Sequence, residues 1–126
     1  IVGRLAEHPD LPHVQSLGPV DDMAALYAAA DFTVLPSHYE PFGLVITESL
    51  AVGTPVLMSK HVAAGELLAP DEGMAFDELT PTVIAATIQK ASQTDWQISN
   101  QFTAQHQLTP SQHIDRIKAV VAEPDL

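Results

Sequence analysis

The chain contains no cysteine, which excludes disulfides, zinc–thiolate sites and a cysteine nucleophile. It is also poor in cations. Arg4, Lys60, Lys90, Arg116 and Lys118 stand against 16 acidic residues, for a formal charge of -11. The five are scattered, so no phosphate-tracking surface forms and nucleic acid is not an expected partner. The acidic excess itself reads as a solubility surface. No apolar run approaches the roughly 20 residues that a bilayer crossing needs, so no membrane span is expected. Repeats, low-complexity segments and linkers are lacking too, and 126 residues suit one domain with a real core. The sequence starts at Ile1 without an initiator Met, and no charged leader or signal-like region is read in it. Because Ile1-Val2-Gly3 reads as half a strand, the chain is expected to be a piece of something longer.

What is present is an alternation of short β-rich runs with helical patterns. Ile1-Val2, His13 to Leu17, Phe32 to Leu35, Val56 to Met58 and Met74 to Phe76 are the strand candidates. Alternation of this kind predicts an α/β fold, a Rossmann-like doubly wound parallel sheet covered by helices. Asp21 or Asp22 can cap a helix whose Met23, Leu26, Tyr27 and Ala30 form one apolar stripe. Gly43 to Val52 predicts the next crossover helix, apolar nearly all round and therefore buried on most sides. From residue 80 to 126 the pattern is mainly helical. Thr80-Pro81 starts a helix with Ile84, Ile88 and Ala91 on one face, and Thr109 with Gln112 has capping-box spacing before Ile114, Ile117 and Val121. A weaker helix is expected between Asp95 and His106.

The segment richest in chemistry runs from Glu40 to Glu48, two carboxylates bracketing Pro41-Phe42-Gly43 and an apolar stretch. In open α/β sheets ligands sit beyond the carboxyl ends of the strands, where loops and helix N-termini converge. Ser37 to Gly43 falls in that place. The helix beginning near Gly43 should present the N–H groups of Gly43, Leu44 and Val45 to a phosphate or to sugar oxygens. Glu40, just outside that helix end, could accept hydroxyl hydrogen bonds or balance positive charge in a transition state. Glu48 lies inside the helix, where a buried carboxylate needs full hydrogen bonding. A vicinal diol would satisfy it, as would backbone groups or Thr47.

The stretch from Pro36 to Val56, with Pro-Ser-x-x-Glu-Pro-Phe-Gly before the helix and Gly-Thr-Pro-Val after it, resembles the Glu-x7-Glu segment of retaining GT-B glycosyltransferases of the family 4 type. That segment belongs to their C-terminal, nucleotide-sugar donor-binding domain. His13 to Val20 followed by Met23 to Asp31 is similar to the family's upstream strand, glycine turn and helix. The resemblance implies the C-terminal half of a GT-B fold, incomplete at its N-terminus, that takes part in hexosyl transfer to a saccharide, lipid or protein acceptor. It implies Glu40 against the donor hexose, Glu48 on the ribose hydroxyls, and Phe42, Gly43 and Leu44 on the sugar and diphosphate. Gly18 and Pro19 match the turn near the nucleobase. The donor would be a UDP-, GDP- or ADP-sugar, used without a metal or other cofactor. The acceptor would reach the site through the N-terminal domain. The implied location is cytoplasmic, with peripheral membrane contact open to the full-length protein.

The resemblance has gaps. Family members carry an upstream Arg and Lys that neutralise the diphosphate, and this pair is absent here. Arg4 in Val2-Gly3-Arg4-Leu5 has no lysine following it before Leu17. After the strand ending near Met58, Val62-Ala63-Ala64-Gly65-Glu66 replaces a glycine pair and an acid, with Glu66 corresponding to that acid. Lys60 and His61 stand on the ligand side of the sheet, and His38 occupies a variable loop position. The histidines show no metal-ligand spacing with neighbouring acids. Two alternatives follow. The chain could be a glycosyltransferase-like binding or scaffold module without catalysis, or a relative of the GT-B nucleotide-sugar epimerases and phosphorylases.

Overall fold

The computed structural model describes residues 1–2, 11–99, 102–106 and 108–122. Its centre is a three-stranded parallel sheet in the order β1 (Thr33–Leu35), β2 (Val56–Ser59), β3 (Gly73–Phe76). Thr33 pairs with Val56 and Leu35 with Met58; Val56 pairs with Gly73 and Ser59 with Phe76. All four residues of β2 are buried, as expected of a central strand covered on both faces. Successive side chains on a strand point to opposite faces. Val56 and Met58 accordingly join Ile46, Leu50, Val62, Ala64 and Phe102 in one core, while Leu57 joins Phe76 and Ala91 in another. This is the expected α/β, Rossmann-like arrangement.

Helix α1 (Met23–Ala28) precedes β1 and is capped by Asp22, whose Oδ1 accepts the Ala25 N–H at 3.0 Å. Helix α2 (Leu44–Ala51) crosses from β1 to β2, and a 3-10 turn (Ala63–Leu67) leads from β2 towards β3. Helix α3 (Pro81–Ala91) starts where the sequence predicts it, with Thr80 Oγ1 accepting the Val83 N–H, and lays Ile84, Ile88 and Ala91 on the second core. Helix α4 is the short Phe102–Gln105 segment, and α5 (Pro110–Ala122) carries the expected reciprocal cap between Thr109 and Gln112.

Buried hydroxyls tie α1, β1 and α2 together. Thr54 Oγ1 donates to the Tyr27 carbonyl at 2.8 Å, Ser49 Oγ donates to the Thr54 carbonyl at 3.0 Å, and the Thr33 and Ser49 hydroxyls lie 2.8 Å apart. Such groups are costly inside a protein unless they are paired, and here each has its partner.

Three expectations need correction. The run His13 to Leu17 is not a strand. Pro12 and Pro19 cannot donate to a ladder, and His13 turns with φ of 64°. What remains is one bridge between Val2 and Gly18, with the Leu17 N–H donating to the Ile1 carbonyl. Helix α2 is not buried on most sides. Ile46, Ser49 and Leu50 face inward, but Leu44 is 64% exposed and Glu48 is exposed, because the sheet and α1 cover only part of its circumference. On α5, Ile114 and Ile117 are each 50% exposed rather than packed, and the Val121 side chain lies outside the described residues. No helix among the described residues is long and apolar enough to cross a membrane.

Candidate functional site

Parallel pairing sends the loops after β1 and β2 out of the same edge of the sheet, and there the two are laced together. Glu40 forms a parallel bridge with Val62, and the Ala64 N–H donates to the Phe42 carbonyl at 2.8 Å. Gly43 sits in this crossing. Its φ is +88°, and a Cβ at that position would lie 2.5 Å from Val62 Cγ1. The same glycine is the N-cap of α2, so it also sets where the helix N-terminus points.

Glu40 is held at the mouth of that helix. Its Oε1 accepts the Gly43 N–H at 3.1 Å, which occupies one of the N–H groups expected to face a ligand. The N–H groups of Leu44 and Val45 have no acceptor among the described residues, as is usual in a first helical turn. They carry the positive end of the helix dipole. Next to Glu40 opens a cleft of about 590 Å³. Met58 and Ala75, paired positions of β2 and β3, lie under it, and Tyr39, Glu40, Lys60, His61 and Glu66 supply its polar lining. No ion pair among the described residues joins Lys60 to either glutamate.

Glu48 is not in that cleft. It lies on the exposed face of α2, where its Oε2 accepts the Tyr27 hydroxyl at 3.1 Å and its Oε1 has no protein partner among the described residues. Burial therefore does not oblige Glu48 to bind a diol, since an exposed carboxylate loses little to desolvation. Tyr27 is only 5% exposed. Burial, the hydrogen bond to Glu48 and the charge of Glu48 together push its hydroxyl from 10.0 up to about 12. It is therefore a proton donor throughout the neutral range. Because the folded value is the higher one, this contact stabilises the fold fully below pH 10.0 and is lost as pH rises through about 12. A near-ultraviolet phenol titration should show an ionisation near pH 12 that Tyr27→Phe lacks; an unchanged titration would contradict the contact.

The remaining expected residues separate. Phe42, partly exposed, contributes its carbonyl to the loop crossing. Gly18 has a φ of +65° at its bridge to Val2, and the exposed Pro19 follows it; neither lines the cleft. His38 is exposed and also outside the lining. Arg4 lies outside the described residues. Two residues escaped the sequence reading. Tyr39, next to Glu40, lines the cleft, and Tyr27, read only as part of an apolar stripe, reaches Glu48.

Residues 3–108 match the model of the family described as glycosyl transferases group 1. A probable transglycosylase of Burkholderia thailandensis is 40% identical over 76 residues, which cover 60% of this chain and 21% of that protein. A glycogen synthase of Mycobacterium tuberculosis is 41% identical over 68 residues, covering 52% of this chain and 16% of that protein. An O-antigen chain mannosyltransferase B of Escherichia coli is 39% identical over 77 residues, covering 61% and 20%. The matched segment thus spans no more than about a fifth of the length of these relatives.

Proposed function

The chain belongs to the glycosyl transferases group 1 family, and we propose that residues 1–126 are the donor-binding domain of a longer, retaining, nucleotide-sugar-dependent hexosyltransferase of GT-B architecture. The observation that carries this reading is the junction at Gly43. It sets an anchored carboxylate, Glu40, beside the open N–H groups of Leu44 and Val45, with a second carboxylate, Glu48, on the outer face of the same helix. A glycosyl donor needs those three chemistries: an acid at the sugar, N–H donors at the diphosphate, and an acceptor for ribose hydroxyls. The names of the relatives, a glycogen synthase and a mannosyltransferase among them, agree with a hexosyl group.

In this reading Glu40 stands against the hexose and stabilises the positive charge that grows at its anomeric carbon. The bond from that carbon to the diphosphate oxygen breaks, the acceptor oxygen bonds to the carbon on the same face, and the acceptor proton leaves with the departing phosphate. Leu44 and Val45 N–H groups, with Gly43 and Phe42 at their side, meet the diphosphate. Lys60 is the cation nearest to hand in the cleft, and Glu66 is an acceptor for sugar hydroxyls. Gly18 and Pro19 meet the base through backbone atoms. No metal is needed in this scheme. The acceptor, a glycan, lipid or protein, is presented by an N-terminal domain, and the protein works in the cytoplasm or at its membrane surface.

Offering UDP-, GDP- and ADP-hexoses to the full-length protein with saccharide acceptors tests this. The expected result is release of one nucleoside diphosphate and a product whose anomeric configuration matches that of the donor. An inverted product would overturn the retaining assignment, and turnover of none of the three donors would overturn the hexosyltransferase reading.

A further inference from the structure

We propose that Tyr27 is a positioning residue: its buried hydroxyl fixes the rotamer in which Glu48 meets the ribose diol of the donor. This inference rests on the reading of Glu48 as the ribose ligand. A glutamate on an exposed helix face samples several rotamers, and a ligand that needs one of them loses affinity to the ordering. Glu48 is exposed, yet its Oε2 is held by a phenol 21 positions earlier in the chain.

The donor is itself fixed. Tyr27 is nearly fully buried on α1, and its carbonyl accepts the hydroxyl of the buried Thr54 at 2.8 Å. Thr54 belongs to the turn that follows α2 and is joined through Ser49 to β1. Tyr27 is thus gripped through its backbone from below, while its hydroxyl reaches the outer face of α2. Facing a carboxylate, which can only accept, the phenol must be the donor in this 3.1 Å contact. An ionised carboxylate has about four acceptor sites. The phenol takes one on Oε2, which leaves the other Oε2 site and all of Oε1 for two ribose hydroxyls.

The test is a double-mutant cycle in the full-length enzyme, reading donor KM and kcat separately. Glu48→Ala should raise donor KM about 10- to 100-fold. Tyr27→Phe, which keeps the ring, should raise KM about 3- to 10-fold and leave kcat unchanged, since a diol grip is equally present in ground and transition states. In the Glu48→Ala background Tyr27→Phe should add nothing further. If Glu48→Ala leaves KM unchanged, the ribose reading fails and takes this proposal with it. If Glu48→Ala raises KM but Tyr27→Phe does not, or if the Tyr27→Phe effect persists without Glu48, the ribose reading stands and the positioning role is overturned. A measurement on the unaltered protein covers the case in which Tyr27→Phe does not fold. The ring carbon bearing the Tyr27 hydroxyl, labelled for NMR, should shift on adding UDP, GDP or ADP and not on adding inorganic diphosphate. A resonance indifferent to all of them would overturn the proposal.

Discussion

In the proposed hexosyl transfer by the full-length protein, Glu40→Gln should lower kcat by about 100- to 1000-fold while donor KM moves by less than about threefold. The substitution removes a charge and almost nothing else. The amide retains a carbonyl oxygen that can still accept the Gly43 N–H, so the loop crossing at Val62 survives. A carboxylate fixed at the edge of a cleft stabilises positive charge without having to reorganise when that charge appears, which is where electrostatic catalysis gains its magnitude. Glu40 is fixed in that sense, since Oε1 is bonded to the Gly43 N–H and the backbone is bridged to Val62. Steady-state kinetics with the preferred donor would measure the split. A variant with full kcat would show that the charge at residue 40 does not act on the reacting carbon, and a loss confined to KM would make Glu40 a binding group only.

Gly43→Ala should be among the most damaging single changes for the fold, at about 2–5 kcal/mol. Two independent costs combine. An L-residue held in the left-handed region loses about 1–2 kcal/mol, and the residue's φ of +88° lies there. The new methyl would also lie 2.5 Å from Val62 Cγ1, an overlap of the kind that costs about 1–3 kcal/mol to relieve. Urea unfolding would read the sum. Because only the second cost involves Val62, Gly43→Ala combined with Val62→Ala should recover the steric part once the cost of Val62→Ala alone is subtracted, and the backbone part should remain. A loss below about 0.5 kcal/mol, the ordinary range for surface substitutions, would mean that the two loops do not cross as closely as described.

Features set by nearby residues were readable from the chain. Thr80 with Pro81 and Thr109 with Gln112 each start a helix as predicted, and Asp22 is the cap of the two candidates Asp21 and Asp22, because a cap depends on atoms within three or four positions. The β1, β2 and β3 runs were readable for a similar reason, being short apolar segments between turn residues. So was the placement of Glu40, Lys60 and Glu66 near one another, since parallel strands deliver the loops after β1 and β2 to one edge. The failures lie where the outcome depends on a partner. The run from His13 to Leu17 has strand composition but prolines at both sides and little to pair with. The apolar content of α2 says nothing about how much of its surface the sheet and α1 reach, so Leu44 and Glu48 emerged exposed. The Tyr27 to Glu48 contact joins two helices on either side of β1, and no local pattern announces it.

Backbone amide NMR can show whether the first turn of α2 receives the donor diphosphate between Glu40 and Glu48, as proposed. On titration with UDP, GDP or ADP, the amides of Leu44 and Val45 should shift together along one saturation curve for the nucleotide that binds, with Glu48 following the same curve. Inorganic diphosphate should move Leu44 and Val45 alone. If the nucleotide binds and these two amides stay still, the donor sits elsewhere on the domain, and the roles given to Glu40 and Glu48 fall with it.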